Sequence, residues 1–229
     1  MPTVAIPRGS LVVSCQARPD NPLHGPVFMA AMAQAAAQGG ASAIRANGPA
    51  DIAAIRAAVD LPIIGILKRT DPGFPVSITP DFASARAVVE AGADIVALDA
   101  TDRSRNGERI EMLIPRIREE LGCAVMADIA TLEQGLSAAR LGAAYVATTL
   151  AGYTGDAPPP EGPDLDLVRA LARALVRRDA WVVAEGRYST AAQIRDAFAC
   201  GAGAVVVGTA ITNPREITRK LAAAAPWKP

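Results

Sequence analysis

The chain has 229 residues, of which 51% are hydrophobic and only 4% aromatic, and its formal net charge is zero. This length suits one large domain with an aliphatic, closely packed interior. The neutral balance argues against a nucleic-acid or membrane-surface partner, and no run of about 18 uninterrupted apolar residues would span a bilayer.

Short β-rich runs alternate with Ala-rich helical stretches. Leu11–Gln16 is the first strand and Pro26–Gln38 the first helix, stopped by Gly39-Gly40. Ala43–Asn47 is the second strand, and Pro49 opens the next helix, a first-turn place that suits proline. Ile63–Lys68 is the third strand, followed by a helix over Thr79–Ala91. Ile95–Asp99 precedes a helix over Glu108–Leu121 that carries Pro115. Ala124–Asp128 leads to the helix Thr131–Leu141, and Tyr145–Thr148 is the sixth strand. A Pro/Gly-rich connection, Tyr153 to Pro163, precedes the helix Asp164–Arg178 and forms a candidate lid. Trp181–Ala184 stops at Glu185, and Ser189-Thr190 caps a helix that ends near Cys200-Gly201. Ala204–Val207 stops at Gly208-Thr209, and Pro214–Ala224 closes the chain.

Nearly continuous apolar strands are expected to be buried on both faces, as in a parallel sheet. The phrases GGASAIRA, AGADIVALDA, LGAAYVATT and CGAGAVVVGT recur, each a helix terminator followed by a strand. Eight such units, with no dividing linker, predict one domain over residues 1–229, a (β/α)8 TIM barrel of the phosphate-binding type. An open doubly wound sheet is the alternative, and the lack of a G-x-G-x-x-G after the first strand counts against it.

Side chains at the C-terminal strand ends of a barrel converge on one mouth. Those ends carry Gln16, Arg45 and Asn47, Lys68, Asp99, Asp128, Thr148-Thr149, Glu185 and Gly208. Lys68 stands out, because the other lysines, Lys220 and Lys228, lie near the C-terminus and Arg serves elsewhere. A desolvated lysine can shed its proton, which arginine does not do. The bland reading is that Lys68 only pairs with Asp99 or Glu185. Glu185 ends a buried strand and needs a partner or a task. Asp99 and Asp128 are also candidates, although short acids there can simply cap a helix. Arg45 either holds substrate oxygens or neutralises the acids, with Gln16 beside it. Arg187 either meets a phosphate or faces solvent. Gly186, Gly208 and Thr209 lie where two strand ends aim backbone N–H groups at one point, as phosphate binding requires.

No His/Cys/Asp cluster has metal-ligand spacing, so no metal and no cofactor are expected. His24, the single histidine, is read as packing or capping locally. The odd set Cys15, Cys123 and Cys200 is read as reduced core residues of a cytoplasmic protein. No apolar run of signal-peptide length follows Pro2. Ala-rich helix faces are compatible with a homodimer but carry no diagnostic interface pattern.

The ordered set GILKR, PGFPVSITP, AGADIVALDATDR, VMADIATLEQG, ATTLAGYT, VVAEGRYST and VVVGTAITNPREIT resembles the N-acylglucosamine-6-phosphate 2-epimerase family, also called N-acetylmannosamine-6-phosphate 2-epimerase. The resemblance runs from SLVVSCQ to REIT. It implies interconversion of N-acetylmannosamine 6-phosphate and N-acetylglucosamine 6-phosphate in sialic-acid breakdown, without metal or nucleotide. It places Lys68 and Glu185 at the epimerised carbon, makes Gln16, Arg45 and Asp128 substrate-holding, and puts Gly186, Arg187, Gly208 and Thr209 in the phosphate loops. The family's last motif has an arginine where this chain has Asn213, so Arg187 or Arg215 is expected to substitute if that arginine holds phosphate. The family's proline after D-A-T-x-R-x-R is Asn106 here. The competing readings are a Schiff-base aldolase or lyase on a phosphosugar, which would also use Lys68, and a non-catalytic sugar-phosphate-binding barrel.

Overall fold

Short runs rich in β-branched residues, each stopped by Gly or by a capping residue, dictate the architecture. The computed structural model describes residues 5–155 and 157–226. Asp156, within the candidate lid, and Lys228 lie outside the described residues. The strands are β1 (Ser10–Cys15), β2 (Ala43–Asn47), β3 (Ile63–Ile66), β4 (Ile95–Asp99), β5 (Ala124–Asp128), β6 (Tyr145–Ala147), β7 (Trp181–Glu185) and β8 (Ala204–Val207). All pair in parallel with their sequence neighbours, and β8 returns to β1, closing a (β/α)8 barrel.

The helices are α1 (Pro26–Gln38), α2 (Pro49–Ala58), α3 (Phe82–Glu90), α4 (Ile110–Leu121), α5 (Leu132–Arg140), α6 (Leu165–Leu175), α7 (Ala191–Ala199), α8 (Thr209–Thr212) and α9 (Pro214–Ala222). Their starts follow local chemistry. Thr131 and Thr190 open α5 and α7 with full capping boxes through Gln134 and Gln193. Asp81 caps α3 and Asp164 caps α6. Pro115 sits inside α4, in an otherwise unbroken helix.

Several expected bounds move. The third strand ends at Ile66, not Lys68, because Lys68 pairs antiparallel with Ile78 in a hairpin at the rim. The third helix starts at Phe82, not Thr79, because Asp81 receives the Ser84 N–H and so starts the helix there. The fourth starts at Ile110, and the sixth stops at Leu175 rather than Arg178. The sixth strand ends at Ala147 and runs into a 3-10 turn over Thr148–Leu150. The four-residue α8 has no expected counterpart: too short for a periodic signal, it follows the Gly208 turn.

The core has two layers. Val12, Ala43, Ile64, Ile66, Ile95, Ala97, Met126, Tyr145, Val183 and Val206 are among the residues filling the barrel, with Ile6 alongside. A larger layer, including Ile44, Ile55, Val88, Leu113, Ile117, Val146 and Leu171, seals the helices onto the outside of the strands. This alternation leaves every strand buried on both sides, and it fixes which side chains point up at the strand ends.

Candidate active site

The mouth is organised around a buried cation. Arg45, on β2, is 1% exposed. Its two terminal nitrogens donate to Asp128 Oδ1 and Oδ2 at 2.9 and 2.6 Å, a bidentate pair with the end of β5. Nη1 also donates to Glu185 Oε2 at 2.7 Å, at the end of β7. Met126 lies close by, with its sulfur 3.7 Å from the same nitrogen. Thr149 Oγ1 donates to Asp128 Oδ1 at 2.7 Å. The Thr148 hydroxyl locks the end of β7 by donating to the Glu185 carbonyl at 2.9 Å and accepting its N–H at 3.0 Å.

The charges follow from burial. Desolvation opposes the Arg45 cation, but the carboxylates of Asp128 and Glu185 outweigh it and raise its pKa. Burial pushes the Glu185 carboxyl above the usual carboxylate range, and the Asp128 charge adds to this against the pull of Arg45.

Lys68 stands differently. Its backbone N–H is fixed by Asn47 Oδ1 at 2.8 Å. Its side chain makes no hydrogen bond or ion pair among the described residues, so the bland pairing with Asp99 or Glu185 is not what the structure has. The residue is open to solvent at the rim, yet the amine sits in a crowded surround. Desolvation lowers its pKa, the Arg45 charge lowers it further, Glu185 and Asp128 pull it back, and Arg18 adds a smaller push down. Lys68 thus shares one electrostatic field with Arg45, Asp128 and Glu185.

Gln16 follows β1 and donates to Ser14 Oγ at 2.8 Å, while its Oε1 is buried without a partner. Arg45 Nε is likewise buried and unpartnered. Gly208 packs on Ser14, where a Cβ would come within 3.3 Å of the Ser14 Cβ. Gly186, at φ 108, follows β7, which pairs with β8 through Glu185 and Val206. Thr209 opens α8 and is exposed.

Other candidates are occupied. The Arg187 guanidinium donates to the Gly162 carbonyl at 2.5 Å and the Ala151 carbonyl at 2.6 Å, and lies over the Tyr153 ring. It straps the two ends of the long loop after β6. Asn213 caps α9 by accepting the Glu216 N–H, and holds Asn21 at 3.3 Å. Arg215 pairs with Asp20. Neither substitute expected for the family arginine therefore has an unengaged guanidinium. Asp99 is paired with Arg103 and Thr101. His24 Nδ1 lies 3.1 Å from the Ala17 carbonyl oxygen.

Arg18, Thr149 and Asn47 were not singled out by sequence reasoning for these roles. Arg18 lies in a loop without periodic pattern, is exposed, and among the described residues has one ion pair, with Asp20 at 3.9 Å.

The family model described as "Putative N-acetylmannosamine-6-phosphate epimerase" matches residues 29–226. A putative N-acetylmannosamine-6-phosphate 2-epimerase of Cutibacterium acnes is 48% identical over 216 residues, covering 94% of this chain and 93% of that protein. One from Caldanaerobacter subterraneus is 47% identical over 218 residues, covering 92% and 88%. The solved N-acetylmannosamine-6-phosphate 2-epimerase from Clostridium perfringens superposes with a TM-score of 0.90 at 40% identity, covering 96% and 95%.

Proposed function

The chain belongs to the N-acetylmannosamine-6-phosphate 2-epimerase family and interconverts that sugar phosphate with its C2 epimer, N-acetylglucosamine 6-phosphate; we propose that Lys68 is the base that does so. The observation that carries this reading is an unpaired amine with a lowered pKa, in the field of a carboxyl with a raised one. Two groups whose pKa values are pushed towards each other in this way suit paired acid–base work.

In the ring-opened sugar, the C1 aldehyde acidifies the C2 hydrogen. Neutral Lys68 takes that hydrogen as a proton, and the electron pair of the C–H bond moves into C1 and its oxygen. Glu185, in its protonated form, returns a proton to the opposite face of C2. The same carboxyl can relay a hydroxyl proton during ring opening. Arg45, kept charged by the Asp128 carboxylate and in contact with Glu185, is a fixed positive centre for the developing enolate. Its unpartnered Nε and the Gln16 Oε1 offer one donor and one acceptor to the sugar.

The phosphate is placed against Gly186 and the Gly208–Thr209 turn, where binding energy remote from C2 can position the reacting carbon. With Arg187 and Arg215 engaged elsewhere, Arg18 is the exposed cation at the mouth that complements this charge. Three free cysteines suit a reducing, cytoplasmic setting. The exposed Val27 and Phe28 on α1 support pairing into a homodimer, which sedimentation velocity tests.

The deciding experiment measures epimerisation of N-acetylmannosamine 6-phosphate by proton NMR in deuterium oxide. Lys68→Ala and Lys68→Arg should each lower kcat by about 10²–10⁴-fold with thermal stability retained. Full activity in either variant removes the amine from the mechanism. Trapping of a covalent adduct by borohydride would instead favour Schiff-base chemistry at Lys68.

A further inference from the structure

The barrel units repeat the way a helix end docks beneath the strands, as well as the strands themselves. In the unit of β3 and β4, Arg56 lies in the last turn of α2, seven residues before Ile63. Its guanidinium donates to the carbonyls of Gly92 and Leu61 at 3.1 Å each and pairs with Asp94. Asp94 also accepts the Ile63 N–H at 2.8 Å. The arginine is fully engaged and its charge cancelled.

The unit of β5 and β6 has the same parts with one missing. Arg118 lies in the last turn of α4, seven residues before Val125. Strand register makes Val125 the counterpart of Ile63: Asp94 N–H donates to the Ile63 carbonyl at 2.9 Å, and Ala144 N–H to the Val125 carbonyl at 3.0 Å. Arg118 lies across Gly142 so closely that a Cβ there would overlap its guanidinium, whereas over Gly92 the Arg56 stem comes closest, its Cγ 3.1 Å from such a Cβ. The acid, however, is absent, because the counterpart of Asp94 is Ala144. Among the described residues the Arg118 side chain has no hydrogen bond and no ion pair, and neither do those of Arg140 and Arg178. All three line one cavity of about 700 Å³ with Cys123, Ala144 and Asp179. A helix-end dipole explains a single cation in a last turn, such as Arg118 or Arg140. It does not explain three arginines lining one concavity with a single acid.

We propose that this cavity, beneath the starts of β5, β6 and β7 and so at the opposite end of the barrel from the mouth, binds a small polyanion of the di- or polyphosphate class. Guanidinium forks match phosphate oxygens two at a time, and the volume lies in the ordinary range for small-molecule sites, roughly 300–1,000 Å³. The site takes over the role that Asp94 plays for Arg56. It is independent of the acid–base assignment at the mouth.

Inorganic pyrophosphate is the probe, titrated at about 0.15 M salt into the full chain, with affinity read by calorimetry and location by amide shifts in NMR. Saturable binding is expected, with shifts at Gly122, Cys123, Gly142 and Ala144. Ala144→Asp, which rebuilds the Arg56–Asp94 arrangement, should weaken it by about tenfold or more. Arg118→Gln should do the same, and carries the comparison if Ala144→Asp does not fold. Lys68→Ala should leave pyrophosphate binding unchanged. Shifts confined to the mouth, equal affinity in wild type and Arg118→Gln, or no saturation below about 10 mM would overturn the proposal. So would a change in sedimentation coefficient of the variants without pyrophosphate, which would make the cavity a contact between copies.

Discussion

Arg45 and Lys68 are two cations at one mouth whose neighbours drive them in opposite directions. Burial opposes the charge of both, but Arg45 touches two carboxylates while Lys68 touches none among the described residues. The side chain that cannot lose its proton is the paired one, and the one that can is left free. The pH dependence follows. The neutral amine fraction of Lys68 grows as pH rises, while the protonated fraction of Glu185 falls, so kcat/KM should pass through a maximum, with the limb set by Lys68 below the ordinary 10.5. Arg18→Gln removes a charge that pushes the Lys68 pKa down, so the limb set by Lys68 should move to higher pH in a kcat/KM profile; two unmoved limbs would detach Lys68 from it. Stability has its own sign. The folded pKa lies below the unfolded one, so the penalty on the cation is complete below the folded value and vanishes as pH rises to the unfolded value. Lys68→Met should therefore raise Tm slightly at neutral pH and lose that advantage in alkali, with solvent at the exposed rim keeping the gain small. Lys68, Arg45, Asp128 and Glu185 were legible because each ends or follows a buried run, where a charge requires a reason. Thr149 was placed at the mouth but its bond to Asp128 was not foreseen, and Arg18 was missed, since nothing in a loop's sequence says which way it folds over the mouth. The strap made by Arg187 was hidden for the same reason.

Among the elements, the rim hairpin after β3 explains how an exposed lysine keeps a fixed base. Apolar patterning extends the strand to Lys68, but β2 accompanies it only as far as Ile66 and β4 only as far as Gly65. Beyond that point the chain turns back on itself: Arg69 N–H donates to the Ser77 carbonyl and Thr79 N–H to the Leu67 carbonyl, both at 2.9 Å. Thr79 is the clamp. It is fully buried with φ 46, a left-handed conformation that a β-branched residue adopts only under constraint. Its hydroxyl donates to the Ala97 carbonyl at 2.7 Å and accepts the Leu67 N–H at 3.2 Å. Strand pairing and this side-chain clamp are long-range, so no local pattern marks where the run stops. The strands β2, β5 and β8 fall where patterning places them, because both neighbours run alongside, and β4 does so along β5. Thr79→Val keeps the shape but strands the Ala97 carbonyl and the Leu67 N–H, and should cost about 1–3 kcal/mol in urea unfolding. If the clamp positions Lys68, kcat should fall while KM holds, and Thr79→Ser should restore it. A loss of stability with kcat intact would make Thr79 purely structural.

At the scale of the whole molecule, the barrel interior and the outer helical layer are separate cores with separate consequences. The inner one, which holds Ile64, Ile95, Met126, Tyr145 and Val206, supports the charged cluster directly, through Met126 at 3.7 Å from Arg45. The outer one, which holds Leu171 and Val146, fixes helices to strands and has no contact of this kind with Arg45. Both layers were foreseeable from doubly buried strands, but which apolar residue would lie beside Arg45 was not, since it depends on the stagger of a closed barrel. The two layers permit a matched comparison. Met126→Ala and Leu171→Ala each remove a large, fully buried side chain, and each should cost about 2–5 kcal/mol by denaturant titration. Only the first leaves a cavity beside a guanidinium held by two carboxylates. Arg45 can then settle inwards, drawing Glu185 and Asp128 with it, so Met126→Ala should lower kcat where Leu171→Ala, at similar stability, leaves it near wild type. Equal falls in kcat would mean that activity follows global stability alone, and that the filling of the barrel has no special hold on the geometry of the mouth.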